Sequence, residues 1–457
     1  MARPHAALAA RAARSEVDLH SKDFADLLDL EDPLRKFRER FDLPRKGALP
    51  NVKLEAHEAA EECLYFSSLN LGLKPKEVDS AVQVQLEKWG ALGVWTYAAE
   101  PYPILVCDSS GNEMMGRLVG ADPRSVTMMN GLSVNLHLLF ISFYQPTPQR
   151  YKILTEAGAF CSDMYALRSQ AAMRGYDPSE AVIEVSPRPG EYTLRTEDIL
   201  KTIEEQGGAI AVVCMSGVQY YTGQRFDMQA VTRAAQDAGA LVGWDLAHAV
   251  GNVDLHLDAW GVDFAFWCLN KYLCGGPGAI GGAYVNRRHE GRRAAHLKGW
   301  WSNRDATRTE MRGECDTAEG VGGFRITTPS PILVAMACVS LRILDEAGMQ
   351  RMLEKQFLLT GYLEELLKSR FRSSGGEEQL RIITPEDPAQ RGCQLSILFP
   401  AGVAEVHARL QELGVVCDLR APRVLRVAPA PLYNSFKDVF TFVQVLLEAT
   451  KGSPWTT

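Results

Sequence analysis

Long hydrophobic runs, a surplus of basic charge and patterned cysteines are all missing from this chain of 457 residues. No apolar stretch reaches the ~18 residues that a membrane-spanning helix needs, the best ones being broken by Asn135, His137 or Ser340. Lys and Arg number 49 against 56 Asp and Glu, for a formal charge of −7, which excludes the electrostatic pattern of a nucleic-acid or anionic-membrane binder. Ten cysteines (63, 107, 161, 214, 268, 274, 315, 338, 393, 417) are scattered, with no CxxC pair and no Cys/His grouping at zinc-ligand spacing. That excludes a disulfide framework and a structural zinc, and leads us to expect no metal site and a reducing, cytoplasmic location. The apolar core of a secretory signal is also absent. MARPHAALAARAARSE carries Arg3, Arg11 and Arg14 before its first acid, Glu16, and reads as a frayed Ala/Arg-rich tail, with a short mitochondrial presequence as the alternative.

What is present suffices for a sizeable core, with 46% hydrophobic and 23% charged residues, and the length allows two or three domains. From about residue 125 to 290, β-rich runs alternate with helical patterns. The runs are Tyr151–Thr155, Val182–Val185, Ala209–Met215, Leu241–Asp245, Phe264–Trp267 and Gly282–Val285. Largely apolar strands separated by helices call for an α/β fold with a mainly parallel sheet covered by helices on both faces. One intervening helix carries Met228, Val231, Ala234, Ala235 and Ala238 on its apolar stripe and stops at Gly239.

After Pro329-Ser330-Pro331 the pattern changes to a long helix from Ile332 to about Leu367, a strand at Gln394–Phe399, a helix at Val403–Leu413 and a strand at Val415–Cys417. A final helix presents Phe436, Val439, Phe440, Val443, Leu446 and Leu447. This predicts a smaller C-terminal α+β domain, and a division into an N-terminal arm and helix (1–50), a large domain (51–330) and a small domain (331–457). The Ser369–Gln379 segment, with Ser373-Ser374-Gly375-Gly376, is the one loop marked by composition; internal repeats are absent.

Ligands of open α/β sheets bind at the carboxyl ends of the strands, and polar residues follow three such ends. In GWDLAHAVGN, Asp245 closes an apolar strand and His248 follows; an isolated Asp there is as readily a turn former or helix cap. In FAFWCLNKYLCGGPGAIGG, Lys271 precedes a glycine-rich turn. A lysine after a strand is normally solvated, but one held beside a low-dielectric cleft can form a Schiff base. In MMNGLSVNLHLLFISFYQ, free amides at a helix start and the Ser133 hydroxyl suit a phosphate, although Ser133 serves equally as a cap. A phosphate cradle, the segment Phe160–Asp163, an acidic strand end and then a lysine together suggest pyridoxal phosphate. That cofactor needs a lysine to anchor it, an acid to keep its pyridine nitrogen protonated and an aromatic face to stack on.

The stretches YKILTEAGAFCSDMYA, SGVQYYTGQRF, GWDLAHAVGNVDLHL, WGVDFAFWC, GVGGFRI, RGCQLSI and VAPAPLYNSF resemble kynureninase, the pyridoxal-phosphate hydrolase of tryptophan catabolism, over nearly the whole chain from about Leu30. The resemblance implies an aspartate-aminotransferase-like fold and cleavage of the Cβ–Cγ bond of kynurenine or 3-hydroxykynurenine, giving an anthranilate and alanine. It implies Lys271 as Schiff-base lysine and general base, Asp245 as partner of the pyridine nitrogen and Phe160 as the stacking ring. Cys161, Ser162, Asp163, Ser216, His248 and Asn270 would surround the ring, and Leu132 and Ser133 would bind the phosphate. Trp300 would come from the neighbouring subunit of a homodimer with shared sites, and Arg426 would clamp the substrate α-carboxylate.

The chain departs from the family pattern around the expected substrate. Asn270 stands where the family has Tyr before the Schiff-base lysine, and an amide can donate a hydrogen bond but cannot relay a proton as a phenol does. SLNLGL replaces GNSLGL and puts Asn70 where a substrate-contacting Ser is expected. GVWTYAAEPYP replaces a segment with a substrate-facing His, putting Tyr97 in its place. Thr328 stands where animal members carry an Asn, at the edge of both cofactor and substrate sites. These departures leave open an active kynureninase with a preference shifted between kynurenine, 3-hydroxykynurenine and related aryl or alkyl ketone amino acids, a pyridoxal-phosphate paralogue with a changed amino-acid reaction, or a non-catalytic homologue.

Overall fold

The structure, a computed structural model, describes residues 3–290, 297–372, 378–453 and 455. Contacts divide the chain into two compact units, residues 77–220 with 226–345, and residues 1–76 with 221–225 and 346–457.

The first unit is built on a mixed sheet of seven strands: β1 (Val126–Met129), β2 (Lys152–Glu156), β3 (Val182–Val185), β4 (Ile210–Ser216), β5 (Leu241–Asp245), β6 (Phe264–Cys268) and β7 (Gly281–Val285). Their spatial order is β1-β7-β6-β5-β4-β2-β3. From β6 through β3 every neighbouring pair is parallel, whereas β7 runs antiparallel to both β6 and β1. Apart from its last residue β4 is buried throughout, as a strand covered on both faces must be. On one face the helix Leu132–Phe143 sets Phe140 edge-on and Phe143 stacked against Phe264 of β6, with ring centroids 5.8 and 4.7 Å apart. The mainly parallel α/β sheet expected from sequence is present. Strand β1 was missed because Val126-Thr127-Met128-Met129 is only one short step of chain before a much stronger helical pattern.

In the second unit, β8 (Arg381–Ile382), β9 (Leu395–Leu398), β10 (Asp418–Arg420) and β11 (Val424–Val427) form an antiparallel sheet in the order β8-β9-β11-β10. Leu395, Ile397, Leu425 and Val427 share a core with Leu363 and Leu366 of helix Met349–Arg370 and with Val439, Phe442 and Val443 of helix Phe436–Thr450. The expected strand at Val415 is shorter, Val415–Val416, and pairs in parallel with Leu64–Tyr65.

Three expectations are corrected. The long helix after Pro331 is two helices, Pro331–Ala347 and Met349–Arg370, because Gly348 takes a φ of +79° that an L-residue helix cannot continue through. Residues 3–76 pack with the C-terminal part, and most of the Pro331–Ala347 helix packs with the large sheet, so the observed boundaries fall near 76 and 345 rather than 50 and 330. The expected frayed tail is a helix, Pro4–Ser15, whose Pro4, Leu8 and Ala12 face inward at a spacing of four residues. Gly361 makes room for it, since a Cβ there would come within 2.2 Å of the Pro4 ring. The Ser373–Gly376 loop lies outside the described residues.

Leu8 is 0% exposed within this core. Truncating a buried leucine costs about 2–5 kcal/mol, so Leu8→Ala should lower the melting temperature by several degrees in a thermal scan. A tail that merely frays would lose nothing.

Candidate active site

Three neighbouring strands end in polar side chains at the same edge of the large sheet. Strands β4 and β5 finish at Ser216 and Asp245, which are direct partners in the ladder, and β2 finishes at Glu156. Glu156 is 1% exposed; its Oε1 accepts from the Ser216 hydroxyl at 2.5 Å, and the Ser216 amide points at both carboxyl oxygens from 3.3 Å. Asp245 accepts from the Ala247 amide at 2.8 Å, which fixes its carboxyl in the turn after β5. Asp163, buried in the first turn of helix Cys161–Met173, is hydrogen-bonded to Asp245.

Electrostatics follow from this crowding. Burial raises the pKa of Asp163 well above the carboxylate range, and the charge of Asp245 adds to the rise. Asp245 is also raised by burial, against which the hydrogen bond from Asp163 and the charge of Lys271 work. The pair therefore retains a proton, held by Asp163 and donated to Asp245. Burial likewise pushes Glu156 up to about 7. Lys271, three residues beyond the end of β6, donates from Nζ to the Cys268 thiol at 3.2 Å.

Two helix N-termini meet nearby. The helix Leu132–Phe143 opens at Gly131, and Cys161–Met173 opens at Phe160. Ser133 and Ser162, one residue into each, are joined through their hydroxyls at 2.9 Å. The turn feeding the first helix is fixed by buried Asn135, which donates to the Met129 carbonyl at 2.8 Å and accepts from Asn130 at 3.0 Å. First-turn amides at two adjoining helix starts make this meeting point suited to a dianion. Phe160 is 44% exposed, its ring edge-on to that of Tyr220 at 5.3 Å.

The remaining sequence candidates distribute as follows. Leu132 and Cys161 are the first residues of the two helices, and Cys161 is exposed. His248 is buried in the turn after Asp245, edge-on to Tyr272 at 6.1 Å, and its carbonyl accepts from Asn252 at 2.8 Å. Asn270 is half-buried beside Lys271, and Thr328 is half-buried in the segment after the Gly320–Phe324 turn. Trp300 packs on Trp301 and donates its indole N–H to the Arg308 carbonyl at 2.8 Å. Tyr97 ends the short helix Gly93–Tyr97 and is exposed. Asn70 and Arg426 belong to the other unit, where Arg426 Nη2 donates to Asn70 Oδ1 at 3.2 Å. Sequence reasoning missed Glu156, Cys268 and Asp418. The strand-end rule that selected Asp245 also selects Glu156 once β2 is extended by one residue.

The kynureninase C-terminal domain family matches residues 352–446, and the aminotransferase class-V family matches residues 153–392. The human protein named kynureninase is 45% identical over 422 residues, covering 92% of this chain and 91% of its own.

This chain belongs to the kynureninase family.

Kynureninases of Nematostella vectensis and Myxococcus xanthus are 44% and 45% identical, covering 98% and 93% of this chain and 98% and 96% of theirs. The fold also matches a C-DES mutant with glycine covalently linked to its PLP cofactor (TM-score 0.72, 15% identity, 86% of this chain and 99% of that one). It matches the cysteine desulfurase CsdA of Escherichia coli too (TM-score 0.70, 17% identity, 91% and 98%).

The raised Glu156 has a testable sign. An acid whose pKa is higher in the folded state, here about 7 against an ordinary 4.5, stabilises the fold while protonated and loses that contribution as pH rises through this window. Glu156→Gln mimics the protonated form. The difference in melting temperature between Glu156→Gln and the parent protein should therefore shift in favour of the variant as pH rises from about 5 to about 8.

Proposed function

We propose that this protein is a pyridoxal-phosphate-dependent kynureninase, hydrolysing the Cβ–Cγ bond of L-kynurenine, 3-hydroxy-L-kynurenine or both to release the corresponding anthranilate and L-alanine. One observation carries the reading: the Asp163–Asp245 pair and Lys271 interact at the strand ends of the sheet whose flanking helices bring two N-termini together.

The residues present fit the cofactor by their chemistry. The paired helix starts at Leu132, Ser133, Cys161 and Ser162 suit its phosphate dianion. The buried acids suit a protonated pyridine nitrogen, whose charge would offset theirs. The exposed face of Phe160 suits stacking on an aromatic ring. Ser216, His248, Asn270 and Thr328 would complete the surroundings, with Trp300 supplied by the second copy of a homodimer. When bound, the group supplies an electron sink for carbanion chemistry.

The chain's own residues divide the remaining work. Lys271 would hold the group covalently through Nζ and, when that Nζ is free, would be the base that moves the substrate α-proton. Asp245, receiving a hydrogen bond from Asp163, would be the carboxylate that keeps a proton on the ring nitrogen. The Ser216 hydroxyl donates to Glu156 and so offers only acceptor lone pairs to the site. Arg426 takes the substrate α-carboxylate, and a planar guanidinium suits that ligand. Tyr97 and Thr328 act at the aryl end, with Asn270 in a position where its amide can donate but not relay a proton.

No helix among the described residues is long and apolar enough to cross a membrane. The scattered thiols suit our placing the enzyme in the cytoplasm. Exposed Trp89, Val94 and Trp95 suit a dimer contact.

Incubation with L-kynurenine and with 3-hydroxy-L-kynurenine should release the fluorescent anthranilate and equimolar alanine from at least one of them. Lys271→Ala should cut turnover at least ~10³-fold, since anchor and base are lost together. A protein showing the visible absorbance of the bound cofactor yet releasing neither product contradicts the proposal.

A further inference from the structure

Arg426 sits in a closed polar ring. It is 1% exposed on β11, opposite Asp418 of β10 in the strand ladder. Its Nε donates to Asp418 Oδ2 at 2.7 Å and its Nη2 to Asn70 Oδ1 at 3.2 Å. Asn70 Nδ2 in turn donates to Asp418 Oδ1 at 2.7 Å and to Ser67 Oγ at 3.1 Å. Each of Arg426, Asp418 and Asn70 is thus bonded to the other two.

The turn carrying Asn70 is itself fastened to the end of β11. The Asn70 amide donates to the Ser67 carbonyl at 2.9 Å, Ser68 Oγ donates to the Ala428 carbonyl at 3.0 Å and the Ala428 amide donates to the Phe66 carbonyl at 2.9 Å. A second guanidinium, Arg420, donates from Nε to Asp418 Oδ2 at 3.0 Å. Burial opposes ionisation of Asp418, but Arg426, Asn70 and Arg420 outweigh it and hold the carboxyl below the ordinary range.

The Nη2–Asn70 bond gives the guanidinium a second fixed point besides its Nε contact, and two points restrain its plane more than one. An asparagine amide can accept from the guanidinium with its oxygen while donating to the carboxylate with its nitrogen. A serine hydroxyl at that place is shorter and has a single proton to give.

We infer that Asn70 is a positioning residue which fixes the plane of the Arg426 guanidinium, and that it sets selectivity for the α-carboxylate end of a ligand rather than contacting the aryl end. The inference rests on the reading of Arg426 as the carboxylate clamp.

The test uses the holoenzyme and two probes: L-alanine, which carries the α-carboxylate without the ring, and anthranilate, which carries the ring without the α-amino acid. In Asn70→Ser, alanine binding followed by visible absorbance should weaken ~10-fold, the scale of losing a hydrogen bond to a charged group. Anthranilate binding, followed by its own fluorescence anisotropy, should change less than ~2-fold, and KM for kynurenine should rise more than kcat falls. Asn70→Ala, which removes the bonds to Arg426 and to Asp418, should give the same ordering, so the inference remains testable if one variant folds poorly. Weakened anthranilate with unchanged alanine would overturn it. Arg426→Lys separates the two levels: if that variant leaves alanine binding intact, the clamp reading fails, and if it weakens alanine while Asn70→Ser does not, only the role of Asn70 fails.

Discussion

The carboxyl groups of Glu156, Asp163 and Asp245 are held together out of water at the end of a parallel sheet, with Lys271 as the cation acting on the Asp pair. Desolvated carboxylates are costly unless they keep protons or acquire a cation. Three strands and a helix start converge to impose this arrangement, and each member is tied down: Glu156 by Ser216, Asp245 by the Ala247 amide and Asp163 by Asp245. Such a cluster is poor material for stability and good material for holding a positively charged ring nitrogen. The helix N-termini linked through Ser133 and Ser162 supply the opposite need, a place for anionic charge. The chemistry of the site follows from this separation of charge preferences.

The second unit solves a different problem with the same means. Strand register places Asp418 opposite Arg426, and a turn from the N-terminal segment closes the ring through Asn70. A buried guanidinium needs its partners placed accurately, because any unmet donor carries a desolvation cost. The departure of Asn70 from the family pattern therefore reads as a rebuilt support for the arginine.

How much of this was legible depended on whether the signal was local. Asp245 and Lys271 stand at or just after strongly apolar strands, so the strand-end rule selected them directly. Glu156 obeys the same rule but was passed over because β2 was read as ending at Thr155, which assigned the acid to the connecting segment. The Arg426–Asp418–Asn70 ring joins residues 356 positions apart, and no pattern along the chain announces such closure. The N-terminal helix was hidden for another reason: its inward stripe of Pro4, Leu8 and Ala12 is one residue wide, too thin to stand out among alanines. In the C-terminal sheet, strands of two to four residues fall below the length at which alternation can be recognised.

The central claim is that Lys271, at the edge of the buried acids, is the residue that anchors pyridoxal phosphate. Borohydride reduction of the holoenzyme followed by peptide mass mapping tests it most directly. The account predicts a pyridoxyl-phosphate adduct on the peptide containing Lys271 and its loss in Lys271→Ala. An adduct on a different lysine, or none in protein that shows the cofactor's visible absorbance, would contradict it.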